Sequence, residues 1–196
     1  MLGTLGEAHA ESAGYDMQTL ERLVREIEPD LLCAEIRPED WEAGDPEGAT
    51  PEYRDVLLPL SRRTDIVVVP VAGARNPGLI TPRSGRLLGL RSLAVRMLNA
   101  HLRWMRRSAR SPEQINSGWW GALCDRTCSM TASLCGRETR REWDEANRAI
   151  LEKVLAAIRR DPGRRVLVTL DCRRRHRLER DLRRAPEVEL VPHRDL

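Results

Sequence analysis

Two polar clusters hold the residues whose types suit catalysis. Gly6-Glu7-Ala8-His9 lies almost at the chain start, and Glu35-Ile36-Arg37 follows the apolar run Leu31-Leu32-Cys33-Ala34. Glu7 or Glu35 could act as a general base, and Arg37 could clamp a substrate carboxylate or stabilise an oxyanion. One segment of amphipathic spacing separates the clusters. The layout is therefore strand–helix–strand, with a polar residue at the C-terminal edge of each strand. Parallel strands joined by a helix bring those edges together, where open α/β sheets bind ligands. His9 and Glu35 are expected to share one crevice.

The elements that must position them are legible in the apolar spacing. Residues 2–5 read as the end of a first strand, which is very short unless the chain as given begins late. Met17, Leu20, Leu23, Val24 and Ile27 predict a helix over 16–28, capped by Asp16 and stopped by Pro29. Leu31 to Ile36 reads as a buried strand, 40–51 as a loop, and 52–63 as a helix disturbed by Pro59. The β-branched run Ile66 to Val69 is a strand buried on both faces. Residues 72–84 read as loop. Helices are predicted over 85–109, with a leucine-rich stripe and an arginine-rich side, then over 112–135 and 138–159. A strand at 165–170, a helix at 174–184 and a last strand at 187–191 complete the pattern. The fold class is α/β: residues 1–196 form a single domain with a parallel or mixed central sheet flanked by helices, and a helical insert at about 85–135.

Composition bounds the function classes. No apolar run approaches the roughly 20 residues of a membrane helix, and the N-terminus lacks a secretion signal, so a cytoplasmic protein with no membrane partner is expected. Five cysteines without compact spacing fit a reducing compartment. Cys124, Cys128 and Cys135 share one helical face, which reads as a buried stripe rather than a metal cluster. Of 33 basic residues only Lys153 is lysine. Residues 1–60 hold 15 acids and 4 arginines, net −11, which leaves +14 for the remainder. Such poles favour pairing within the fold or between subunits of a homo-oligomer.

The first 70 residues and the last 60 resemble a broad superfamily. It includes the TraB/PrgY and GumN-like proteins, Tiki-type metalloproteases, and the erythromycin-esterase and ChaN-like proteins. The resemblance is carried by Leu2-Gly3-Thr4-Leu5-Gly6-Glu7-Ala8-His9, by the segment from Glu28 to Asp40, and by Pro51-Glu52-Tyr53-Arg54. It continues in Trp143-Asp144-Glu145-Ala146-Asn147-Arg148 and in Val166 to Leu170 followed by His176-Arg177-Leu178. It implies a site of His9, Glu35 and His176 at strand ends, with Asn147 on a late helix. It also implies a metal-dependent hydrolase that acts on a peptide or other small-molecule substrate, such as an ester. Two imidazoles and a carboxylate suit a divalent metal ion such as zinc, manganese, cobalt or iron, whose bound water would supply hydroxide. Two departures stand out, one of them Ala146 where the pattern often has arginine before Asn147. Arg173 occupies the position where the pattern has glycine, and Arg173-Arg174-Arg175 could partly substitute for a metal electrostatically.

Two alternatives belong to other classes. Arg173, Arg174, Arg175 and Arg177 could bind phosphate or nucleic acid. The absence of interleaved aromatic residues and of any recognised motif disfavours nucleic acid. The chain could also be an inactive superfamily member that serves as an interaction or regulatory domain.

Overall fold

Four apolar runs form one parallel sheet in a computed structural model that describes residues 1–10, 12, 14–43, 49–73, 80–82 and 89–191. The strands are β1 (Leu2–Thr4), β2 (Leu31–Ala34), β3 (Val67–Pro70) and β4 (Val166–Asp171), in the order β1-β4-β2-β3. Leu2 lies opposite Thr169, and Leu31 opposite both Val166 and Val67. The late strand β4 is thus inserted between the first two, so residues from both ends of the sequence meet at one edge.

Side chains alternate across the sheet with period two. Leu32, Ala34 and Leu167 pack with α1 (Met17–Ile27) and a π-helical stretch, Glu52–Leu57, that continues as α3 (Leu58–Ser61). Cys33, Val168 and Leu170 pack on the opposite face with α7 (Arg137–Arg160) and α8 (Cys172–Leu182). Cover on both faces is what central parallel strands require, and it explains why Leu31–Ala34 is apolar and buried at every position. The α/β class with a central parallel sheet is as the spacing predicts.

Local signals act where expected. Asp16 Oδ1 accepts from Thr19 N at 2.8 Å and starts α1. Glu28 closes it in the left-handed conformation, φ 47°, with Pro29 beyond. Pro59 does not break its helix. It falls in the first turn of α3, after the wider π turn in which Leu58 N bonds Tyr53 O, where a missing N–H costs little.

Four expectations need correction. The β-branched run Ile66 to Val69 is not buried on both faces: β3 is the edge strand of the sheet, with Val67 53% exposed and Val68, Val69 and Pro70 half-buried. Residues 38–42, which begin just before the predicted loop 40–51, form a short helix α2 (Pro38–Glu42), with Pro38 pre-set for a first turn and Glu39 and Asp40 in it. The predicted helix over 112–135 is two helices, α5 (Pro112–Asn116) and α6 (Gly118–Cys135), because Ser117 is extended at ψ 146°. Residues 187–191 form no strand; Val188 and Leu190 instead pack against the α7–α8 core. At the β1 edge a side chain already satisfies Gly3 N–H, which donates to Asn116 Oδ1 at 2.9 Å.

The insert opens with α4 (Gly89–Arg107). Its own core joins Ile80, Val95, Leu102, Cys128, Ala132, Cys135 and Trp143. Parts of the predicted loop 72–84 and the first residues of the predicted helix 85–109 lie outside the described residues. Cys124, Cys128 and Cys135 are buried on one side of α6, as their spacing predicts, and all five cysteines are buried free thiols. No helix among the described residues is long and apolar enough to cross a membrane.

Candidate functional site

The C-terminal edge of the sheet gathers His9 and Glu35, but neighbouring protein groups occupy both side chains. Asp171 closes β4 at the centre. Thr4, His9 and Tyr15 stand at the β1 end, and Glu35 stands at the β2 end.

His9 is buried and uses both ring nitrogens. Nε2 accepts from Leu5 N at 3.0 Å, and Nδ1 lies 2.7 Å from Tyr15 O, which fixes the tautomer with the proton on Nδ1. Burial lowers its pKa to about 4, the bond to Tyr15 O opposes that shift, and the Arg106 charge adds to it. Tyr15 OH in turn donates to Gly3 O at 2.9 Å, so the pair staples the end of β1. Gly6 has φ +59°, and Arg106 lies over it with Nη2 donating to Leu5 O. A side chain at Gly6 would displace that guanidinium.

Glu35 is equally engaged. Its Oε2 accepts from Asp171 N at 2.8 Å, and its Oε1 lies 2.9 Å from Arg174 Nε, an ion-pair contact rather than an aligned hydrogen bond. The two side chains are 4% and 5% exposed. Burial pushes the Glu35 pKa up, Arg174 pulls it down, and Asp171 pushes it up again. Arg174 also donates from Nη1 to Asn147 Oδ1 at 2.9 Å and lies 4.3 Å above the Trp143 ring. Asn147 Nδ2 completes the set by donating to Trp143 O at 2.7 Å.

Asp171 is the hub that the sequence reading passed over. Burial opposes its ionisation, but the Arg173 and Arg106 charges and the Arg173 hydrogen bonds outweigh it and hold its pKa far below the usual carboxylate range. Arg173 Nε and Nη2 grip the two carboxylate oxygens at 2.9 and 2.8 Å. The available signal was an acid at the end of an apolar strand, the same signal that marks Glu35. Tyr53 was also missed as a site residue. Its hydroxyl accepts from Glu35 N at 2.9 Å and donates to Thr169 O at 2.8 Å, which ties β2 to β4.

Glu52 is the remaining buried acid, 2% exposed. Burial raises its pKa, while its own backbone N–H and the nearby Thr50 and Thr4 hydroxyls pull it back. Its Oε2 and both hydroxyls lack an aligned hydrogen-bond partner among the described residues.

The other candidates lie elsewhere. Glu7 is exposed on the 3₁₀ turn Gly6–Ala10. Arg37 pairs with Asp40, its Nε donating to Oδ2 at 2.7 Å, and not with a group at the strand edge. His176 is half-buried and faces α6, its Cβ so close to Gly121 that only glycine fits there. Arg173, Arg174 and Arg175 are buried, paired with Asp171, Glu35 and Glu179. Arg177 binds Asp144 at 2.5 Å. The expectation that these arginines offer a site for phosphate or nucleic acid is corrected for the first three: the strand-end carboxylates Asp171 and Glu35 draw Arg173 and Arg174 inward, and Glu179 on the same helix holds Arg175.

The set His9, Glu35 and His176 does not fit a metal ion. Both His9 nitrogens are taken, Glu35 is shared between a guanidinium and an N–H, and His176 faces another helix. Among the described residues no three His, Cys, Asp or Glu side chains form a cage for a cation. Glu35 and Asn147 do come together, bridged by Arg174. No family model, curated protein or solved structure matches this chain.

Proposed function

We propose that this chain is an interaction or regulatory domain, built on a hydrolase-like α/β frame whose strand-end site is closed by its own arginines. One observation carries the reading: Arg174 spans Glu35 and Asn147, two of the residues expected to do chemistry, and holds the carboxylate in a buried ion pair. A base so engaged must break a buried pair before it can accept a proton, at a cost of about 3–5 kcal/mol. Buried free thiols fit residence in a reducing cytoplasm.

The metal-dependent hydrolase implied by the superfamily resemblance is the second reading. Glu52 favours it, because a buried carboxyl with a raised pKa can serve as a general acid toward a peptide or ester substrate. The test is a broad peptide and ester panel, run with and without zinc, manganese, cobalt and iron, beside metal analysis of protein purified without chelator. The expected result is no metal retained and no turnover above buffer. Metal-dependent turnover that disappears in Glu35→Gln and His9→Ala, with the fold intact in both, would overturn the proposal.

A further inference from the structure

Helix α4 has an inner face and an outer apolar row, and among the described residues only the inner face packs into the fold. Val95, Asn99, Leu102 and Met105 are buried. On the outer side Leu90 is 85% exposed, Leu93 45%, Met97 64% and Trp104 61%, with exposed Ala100 between the last two. Their steps alternate three and four residues, the spacing of a coiled-coil seam. From Leu90 to Trp104 the seam runs about 21 Å at the α-helical rise. Isolated surface leucines need no explanation, but a continuous row of large apolar side chains marks a contact surface.

The charges beside the seam are all of one sign. Gly89–Arg107 contains five arginines and no acid. Arg96 and Arg103 are exposed along one flank, a heptad apart, where a coiled coil places the charges that choose its partner. A shallow groove at the C-terminal end is lined by Ala100, Arg103, Trp104, Arg107 and Ser108. It offers an apolar wall beside cationic heads.

We infer that the outer face of α4 is a docking seam for an acidic amphipathic helix of a partner protein, apolar residues in the seam and Glu or Asp against Arg96 and Arg103. This deepens the interaction-domain reading and rests on it. A second copy fits less well: antiparallel pairing of two α4 seams sets the Arg96–Arg103 flanks against each other, and parallel pairing sets them against Ala94 and His101. An anionic membrane surface fits the charge but not the shape. A helix lying in a membrane presents a wide apolar face with its cations opposite, whereas this row is narrow and the opposite face of α4 is in the core.

The test uses the full chain and a synthetic four-heptad peptide with Leu in the seam positions and Glu on both flanks, followed by fluorescence anisotropy. A second peptide carries Lys on the flanks. Saturable, salt-weakened binding of the Glu peptide is expected, and none of the Lys peptide. Met97→Glu and Arg103→Glu, both at exposed positions, should each weaken binding about tenfold or more while circular dichroism and Tm stay unchanged. Absence of binding, equal binding of the two peptides, binding only to phosphatidylserine vesicles, or self-association abolished by Met97→Glu would each overturn the proposal. The two readings fail separately. A silent peptide assay with a silent substrate panel removes the seam alone, and metal-dependent turnover removes the interaction-domain reading even where the peptide binds.

Discussion

Arg174 Nε and Glu35 Oε1 lie 2.9 Å apart, joining α8 to the end of β2 across 139 positions of sequence, with both side chains buried. A buried pair is costly to make and costlier to break, because the surviving charge has no water to turn to. Arg174→Met should therefore destabilise the chain by about 3–5 kcal/mol. Adding Glu35→Leu should restore most of that loss. Urea unfolding of the two single variants and the double variant measures the coupling directly, and additive losses would contradict the pairing.

His9 makes stability depend on pH in a definite direction. Its folded-state pKa, about 4, lies below its ordinary 6.5, so the unfolded chain binds the extra proton first. Its contribution is complete above about pH 6.5 and falls away as pH drops toward 4, by about 3 kcal/mol in all. Arg106, Asp16 and Asp171 set the local field. Urea titrations at successive pH values should show this slope in the parent chain and its absence in His9→Gln. A parallel pair of curves would mean that His9 titrates normally.

Gly14 and Gly118 should respond oppositely to the same change. A Cβ at Gly14 would fall inside the Arg110 carbonyl, a backbone group that cannot swing aside, whereas a Cβ at Gly118 meets nothing within 4 Å. Gly14→Ala should cost at least the 1–3 kcal/mol typical of overpacking. Gly118→Ala, in the first turn of α6, should be neutral or mildly stabilising. Thermal melts of the two variants decide the matter.

Cations should leave the melting temperature unmoved. A metal bound at about a hundred times its Kd would add about 2.7 kcal/mol, several degrees for a chain of this size. Addition of zinc or manganese, or removal with a chelator, is expected to produce no such shift in scanning calorimetry. A rise that vanishes in His9→Ala would restore the imidazole as a ligand.

Fold and site were legible to different depths for physical reasons. The strand run Leu31–Ala34 declares itself because burial on both faces demands apolar residues at every position, whereas the edge run Val67–Pro70 declares itself through its β-branched residues alone. Asp16 declares the start of α1 through its bond from Thr19 N, and Pro29 declares the end because it cannot continue the helix. Residues 187–191 misled because alternating Glu-Val-Glu-Leu satisfies one buried face whether or not a ladder forms. The break at Ser117 gave no compositional sign, since any residue can be extended. At the site, Glu35 and Asn147 could be picked out singly, but the guanidinium between them could not. Which arginine of Arg173-Arg174-Arg175 meets which acid depends on the phase of α8 relative to β4, a tertiary quantity. The same holds for Asp171, whose importance lies in being flanked by β1 and β2.

The buried thiols give the molecule a built-in clock. Burial raises the pKa of Cys33 to about 12, and that of Cys128 is raised as well, so little nucleophilic thiolate exists while the chain is closed. Alkylation by iodoacetamide must then wait for each sulfur to be uncovered. Cys33 lies in the central sheet and Cys135 at the end of the insert. Mass spectrometry of the order in which they acquire label would time the opening of the insert against that of the sheet, with no probe attached.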